Sequence, residues 1–199
     1  MPTEAELEAY MFNRVNDIRV QYKLRPYRPD AELFEAADAH STDMLARDYF
    51  SHTSPEGERA GDRLNDAGYR WSGWSEIIAR SSDNGVMEYA DMDRLLNLWM
   101  NSSGHRSAIL STTRTEAGFG IEYGEYNGRT NVMGTGVFGR PTSAEAAESD
   151  KFIPTGDDQM LRLTADDQMQ GLTTDDQKRG SSTIDYRMPS STTDYWMLG

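Results

Sequence analysis

Four side chains in this sequence have types suited to shared chemistry: His52 in YFSHTSPEG, Glu76 in YRWSGWSEIIAR, His105 in NSSGHRSAIL and Glu116 in EAGFGIEYG. Each stands at the end of a predicted element, beside glycine, serine or an apolar neighbour. Should they converge, two imidazoles and two carboxylates suit a divalent cation, zinc ahead of calcium, with a position left open for water. A nearby carboxylate would then orient an imidazole or act as a base. The bland alternative for His52 is a hydrogen-bonded ring that braces the SPEG loop and binds nothing. The third histidine, His40, falls inside a predicted helix and reads as a packing or surface residue. The chain has no cysteine, which removes disulfides, thiolate metal sites and cysteine nucleophiles. No serine with an adjacent base presents itself as a nucleophile.

These four residues must be positioned by helices and one hairpin. A first helix runs from about Thr3 to Gln21, opened by a Thr3/Glu6 capping box. Leu7, Met11, Val15, Ile18 and Tyr22 share its inner face at helical spacing. RPYRP ends it, and Asp30 caps a second helix with the inner stripe Leu33, Phe34, Ala37, Ser41, Met44 and Leu45. That helix is expected to end near Asp48, which puts His52 just past the negative end of its dipole. AGDRLNDAG is a short helix stopped by Gly68, and the aromatic stretch leading to Glu76 is strand-prone. A third long helix spans about Glu88 to Met100, and a glycine turn carrying His105 closes it. Asn127-Gly128, between two alternating segments, is the strongest hairpin signal in the chain. Helices followed by an antiparallel hairpin predict a layered α+β domain.

Composition narrows the function classes. The net charge of −13 argues against nucleic-acid binding through a basic face. Seventeen arginines and three lysines stand against 19 aspartates and 14 glutamates. Such an acidic, lysine-poor surface suits a halophilic, high-salt medium, where screening reduces self-repulsion. No apolar run is long enough to span a membrane. The opening MPTEAELEAY has neither a basic nor an apolar leader region, so no signal peptide is visible in it.

The chain divides into residues 1–140, a compact domain; 141–153, a small polar linker; and 154–199, a tail with a period of nine. The tail reads PTGDDQMLR, LTADDQMQG, LTTDDQKRG, SSTIDYRMP, SSTTDYWML, with aspartate always fifth (Asp158, Asp167, Asp176, Asp185, Asp194). Glycine is too sparse for a calcium β-roll. The repeat is too polar to fold alone, so it is expected to anchor or assemble against other protein chains, as a homo- or hetero-oligomer.

Taken together, YFSHTSPEG, GDRLNDAGYRWSGWSEIIA, WMNSSGHRSAIL and TEAGFG resemble the CAP superfamily: cysteine-rich secretory, antigen-five and pathogenesis-related proteins, in the bacterial-archaeal SCP-like form, over residues 8 to 140. The resemblance implies a three-layer α-β-α sandwich with a central antiparallel sheet and an open cleft. It also implies a His/Glu tetrad that binds a divalent cation in some members. His52, Glu76 and His105 match tetrad positions. Ser102 stands where eukaryotic members carry a glutamate, and Glu116 is the substitute of microbial relatives. Ile77 replaces an amide side chain of the family pattern, which implies one cleft hydrogen bond fewer.

Three functions are compatible with this reading. The first is a binding or adhesion module on the cell surface or outside the cell, with a cation and a glycan or lipid ligand in its cleft. The second is a metal-dependent, peptidase-like hydrolase with His52 and His105 as ligands and Glu76 or Glu116 as general base. The third is a structural component of a virion or surface array, attached through the repeat tail.

Overall fold

The computed structural model describes residues 2–82, 87–144 and 146. The repeat at 154–199 and most of the expected linker lie outside the described residues. Nine elements follow in order: α1 (Glu4–Gln21), β1 (Arg28–Pro29), α2 (Ala31–Ala46), α3 (Ala60–Asp66), β2 (Trp71–Ser82), α4 (Tyr89–Asn101), α5 (Ser103–Ile109), β3 (Glu116–Tyr126) and β4 (Arg129–Pro141). The sheet order is β1-β3-β4-β2. Helices cover both faces. Leu7, Met11 and Val15 of α1 and Met92, Leu95 and Trp99 of α4 pack with Ile77, Phe119 and Phe138 on one side. Leu33, Ala36 and Ala37 of α2 and Leu64 of α3 pack with Tyr69 and Val137 on the other.

Local chemistry explains the element boundaries. Thr3 caps α1: its hydroxyl accepts from the Glu6 amide at 3.2 Å, and the Glu6 carboxylate takes the Thr3 amide at 2.8 Å. Asp30 caps α2 by accepting from the Leu33 amide at 3.1 Å. Asn127 and Gly128, with φ of 50° and 72°, make the tight turn that joins β3 to β4.

Several expectations are corrected. The sheet is mixed rather than wholly antiparallel, because Arg28 and Pro29 run parallel to β3 opposite Glu116 and Ala117. Pro29 has no N–H to donate, consistent with so short a strand at the sheet edge. Helix α2 ends at Ala46, two residues before the expected Asp48, which has φ 53°, and the loop then folds back so that the Ser51 carbonyl meets His40 of α2. His105 sits inside the short helix α5 rather than in a turn. Tyr22 is exposed because it caps the end of α1, while Arg19 takes the buried place instead.

Arg19 ties α1 to α5. Its guanidinium donates to the Ile109 carbonyl at 2.7 Å, the Ser111 carbonyl at 2.9 Å and the Arg25 carbonyl at 2.8 Å. It also stacks 3.6 Å from the Tyr27 ring centre, and the Tyr27 hydroxyl donates to the Ala108 carbonyl at 2.9 Å. The carbonyls at the end of α5 are thereby satisfied by buried donors, and the helix that carries His105 is fixed in place.

Helix α2 rests directly on β3. A Cβ at Gly120 would stand 2.2 Å from the Asp38 backbone nitrogen, and one at Gly118 would stand 2.2 Å from that of Phe34. Gly120→Ala must therefore lift α2 from the sheet, and we expect a loss of about 3 kcal/mol, the upper end of ordinary overpacking, in urea unfolding. A loss below 1 kcal/mol would show that α2 shifts freely.

Where α1 and α2 meet β3, burial pushes the Glu8 carboxyl up to about 8, with Asp38, Glu4 and Glu122 adding like charge against one accepted bond from the Ile121 amide. A carboxyl raised on folding stabilises the fold in acid, and that stability is lost as pH rises from about 4.5 towards 8. Thermal melts of Glu8→Gln should decline less than wild type across that window. Parallel curves would reject the assignment.

Candidate functional site

Strand β2 is at the sheet edge, and its side chains alternate between faces. Ile77 is buried in the larger core with α1 and α4, opposite Gly136. The expected loss of a cleft hydrogen bond at this position is therefore not found: the Ile77 side chain faces the core, where an aliphatic group is the suitable one. Glu76 points the other way, towards α2, α3 and the loop that follows α2.

The Glu76 side chain is 2% exposed, and both of its oxygens are engaged. Oε1 lies 2.8 Å from His52 Nδ1. Oε2 accepts from the Arg63 guanidinium at 2.8 Å. Burial alone would raise the Glu76 pKa. The His52 bond and the charges of Arg63 and His40 outweigh it and hold the carboxyl below its ordinary value. Glu76 is thus an ionised, buried carboxylate that only accepts, so His52 Nδ1 is the donor of this bond. The other nitrogen, Nε2, belongs to a ring whose side chain is 52% exposed.

Arg63 does more than pair with Glu76. It donates to the His52 carbonyl at 3.2 Å and to the Glu58 carbonyl at 3.4 Å, which ties α3 to both ends of the SPEG loop. His105 is half-buried. Burial lowers its pKa, and a charge on His52 would lower it further.

Glu116 stands elsewhere. It heads β3, while β4 lies between that strand and β2. Its Oε1 accepts from Arg28 at 2.6 Å and its Oε2 from the Tyr69 hydroxyl at 2.6 Å. Tyr69 lies over Gly139, directly opposite Glu116 in the ladder, where a Cβ would come within 2.3 Å of the phenol oxygen. The structure therefore joins His52 to Glu76, leaves His105 linked to His52 only through their charges, and spends Glu116 on a different cluster. Among the described residues, no group of three or more His, Asp or Glu side chains forms a metal cradle. The four-ligand set does not fit.

Two participants were not singled out from sequence as members of the site. Arg63 was hidden as one charge in a polar helix, although it adjoins the buried Leu64. His40, read as a packing residue, is 1% exposed and its Nε2 stands 3.9 Å from Glu76 Oε1. Burial drives its pKa down to about 4, Glu76 acting against that and Arg63 with it. The available signal was spacing: Ala36, His40 and Met44 fall at i, i+4 and i+8 on the buried face of α2.

Removing either partner of the Arg63–Glu76 pair leaves an uncompensated charge in the interior. Glu76→Gln and Arg63→Met should each cost about 3–5 kcal/mol in urea unfolding, while Arg63→Met combined with Glu76→Leu should recover most of the loss. Two single variants of wild-type stability would remove the pair from its central place.

Comparison with known proteins agrees with this fold. The profile of the cysteine-rich secretory protein family (CAP) matches residues 12–138. Two Bacillus subtilis proteins align with the chain: the uncharacterized membrane protein YlbC, 30% identical over 115 residues, and the uncharacterized protein YkwD, 31% identical over 105 residues. The matches cover 58% and 53% of this chain but only 31% and 38% of those proteins, so the chain spans about a third of their length. Among solved structures, an extracellular Bacillus anthracis protein containing an SCP domain is 30% identical with a TM-score of 0.55, covering 69% of this chain and 41% of that one. An outer surface protein of Borrelia burgdorferi, at 18% identity, shares the fold with a TM-score of 0.57 over 71% of this chain and 97% of that one. No helix among the described residues is long and apolar enough to cross a membrane. With a family profile spanning most of the folded domain, and its edge strand, loop and short helix arranged as above, this chain belongs to the cysteine-rich secretory protein (CAP) family.

Proposed function

We propose that this chain is an extracellular CAP-domain binding module whose cleft engages its ligand through His52 and His105. The observation that carries this reading is the orientation of His52. Glu76 occupies Nδ1 at 2.8 Å, which leaves Nε2 as the nitrogen available to a ligand on a ring whose side chain is 52% exposed. Two imidazole lone pairs suit a borderline divalent ion, zinc ahead of calcium, whose other positions a ligand or water would fill. Only two protein ligands are offered, so the ion serves as part of the ligand contact and not as a structural centre. The extracellular setting is supported by the relatives described as extracellular and outer-surface proteins. The repeat at 154–199 would attach the module to other protein chains at that surface.

A second reading, a peptidase-like hydrolase, is favoured by the same carboxylate–imidazole pair, which is the arrangement that activates a general base. In that reading the base is His52. Glu76 is buried with both oxygens engaged, so it orients the ring and does not itself meet water.

Zinc titration followed by calorimetry tests the binding reading. Wild type and Glu116→Gln should bind with the same affinity, and His52→Ala and His105→Ala should each weaken binding at least tenfold. Equal affinity in all four proteins, or no binding by wild type, overturns it.

A further inference from the structure

The buried imidazole of His40 has no place in the function described so far. Its Nε2 lies 3.1 Å from the Ser51 carbonyl oxygen, an acceptor only, so the Nε2 proton points there. Its Nδ1 is buried and has no hydrogen-bond partner among the described residues. A side chain that only filled space between Ala36 and Met44 would not carry an unmatched nitrogen into the interior. The cost is borne for the contact at Nε2, and that contact falls on the residue immediately before His52.

The carbonyls of Ser51 and His52 are consecutive. The first accepts from His40 on α2 and the second from Arg63 on α3. Both donors also border Glu76, which holds the His52 ring. We infer that His40 is a positioning residue: through Ser51 it fixes the backbone from which His52 projects, so that Nδ1 stays on Glu76 and Nε2 stays available to a ligand. The backbone is gripped from two helices and the ring from the sheet. This inference rests on the reading of His52 as the ligand-facing group.

The first test needs no variant. Nitrogen-15 NMR of the intact protein, recorded at a pH where the imidazoles are neutral, should find His40 as the Nε2–H tautomer and His52 as the Nδ1–H tautomer; neutral His40 carrying its proton on Nδ1 overturns the inference. The second compares His40→Gln, whose amide nitrogen takes the place of Nε2, with His40→Asn and His40→Phe, which have no donor there. His40→Gln should keep the single His52 tautomer. His40→Asn and His40→Phe should show mixed tautomers and about tenfold weaker zinc binding. A folded His40→Phe or His40→Asn protein that retains one His52 tautomer would overturn the inference. If no protein binds zinc but the tautomer pattern holds, the binding reading fails while the positioning role stands.

Discussion

A buried carboxylate between a guanidinium and an imidazole is the constraint on which this site depends. Glu76 sits on an edge strand, and its charge can remain there only because Arg63 faces it from α3 at 2.8 Å. An isolated buried pair of this kind is weak evidence for stability, since desolvation offsets the attraction. Here every strong contact is used twice. Arg63 also satisfies two loop carbonyls, and Glu76 also fixes a histidine. The result is a loop after α2 whose geometry is set by the strand beneath it, with little freedom of its own.

That geometry separates two acidic clusters with similar composition. Glu116 and Glu76 project from the same face of the sheet, in register with Gly139 and Val137 of β4. The parallel pairing of Arg28 with Glu116 places an arginine at one, and Tyr69 closes over it. Glu116 consequently braces the start of β3 against β1 and the segment before β2. Glu76 is left as the carboxylate beside His52. In the proposed site an ion would meet imidazoles, and Glu76 would act behind them by holding orientation and charge.

The scaffold serves the same end at longer range. Close contact between α2 and β3 through Gly118 and Gly120 fixes the helix that bears His40. The Arg19 and Tyr27 contacts fix the helix that bears His105. The loop that bears His52 is thus held by α2, α3 and β2, and the helix that bears His105 is held by α1. Each is supported by a buried polar residue whose hydrogen bonds end on backbone carbonyls.

Much of the fold was legible in sequence because local interactions decide it. The Thr3 and Asp30 caps, the Asn127-Gly128 turn and the alternation in β3 and β4 depend on neighbours a few residues apart. The types and spacing of His52, Glu76 and His105 were likewise enough to nominate a shared site. Sequence could not separate Glu116 from that site, enrol Arg63 and His40 in it, or place the two-residue strand at Arg28–Pro29. Those outcomes depend on partners 11 to 88 positions apart, brought together by sheet register and helix packing. Which oxygen of a carboxylate is free, and which nitrogen of an imidazole carries its proton, are properties of such contacts. One-dimensional order leaves them open, and only the tertiary structure decides them.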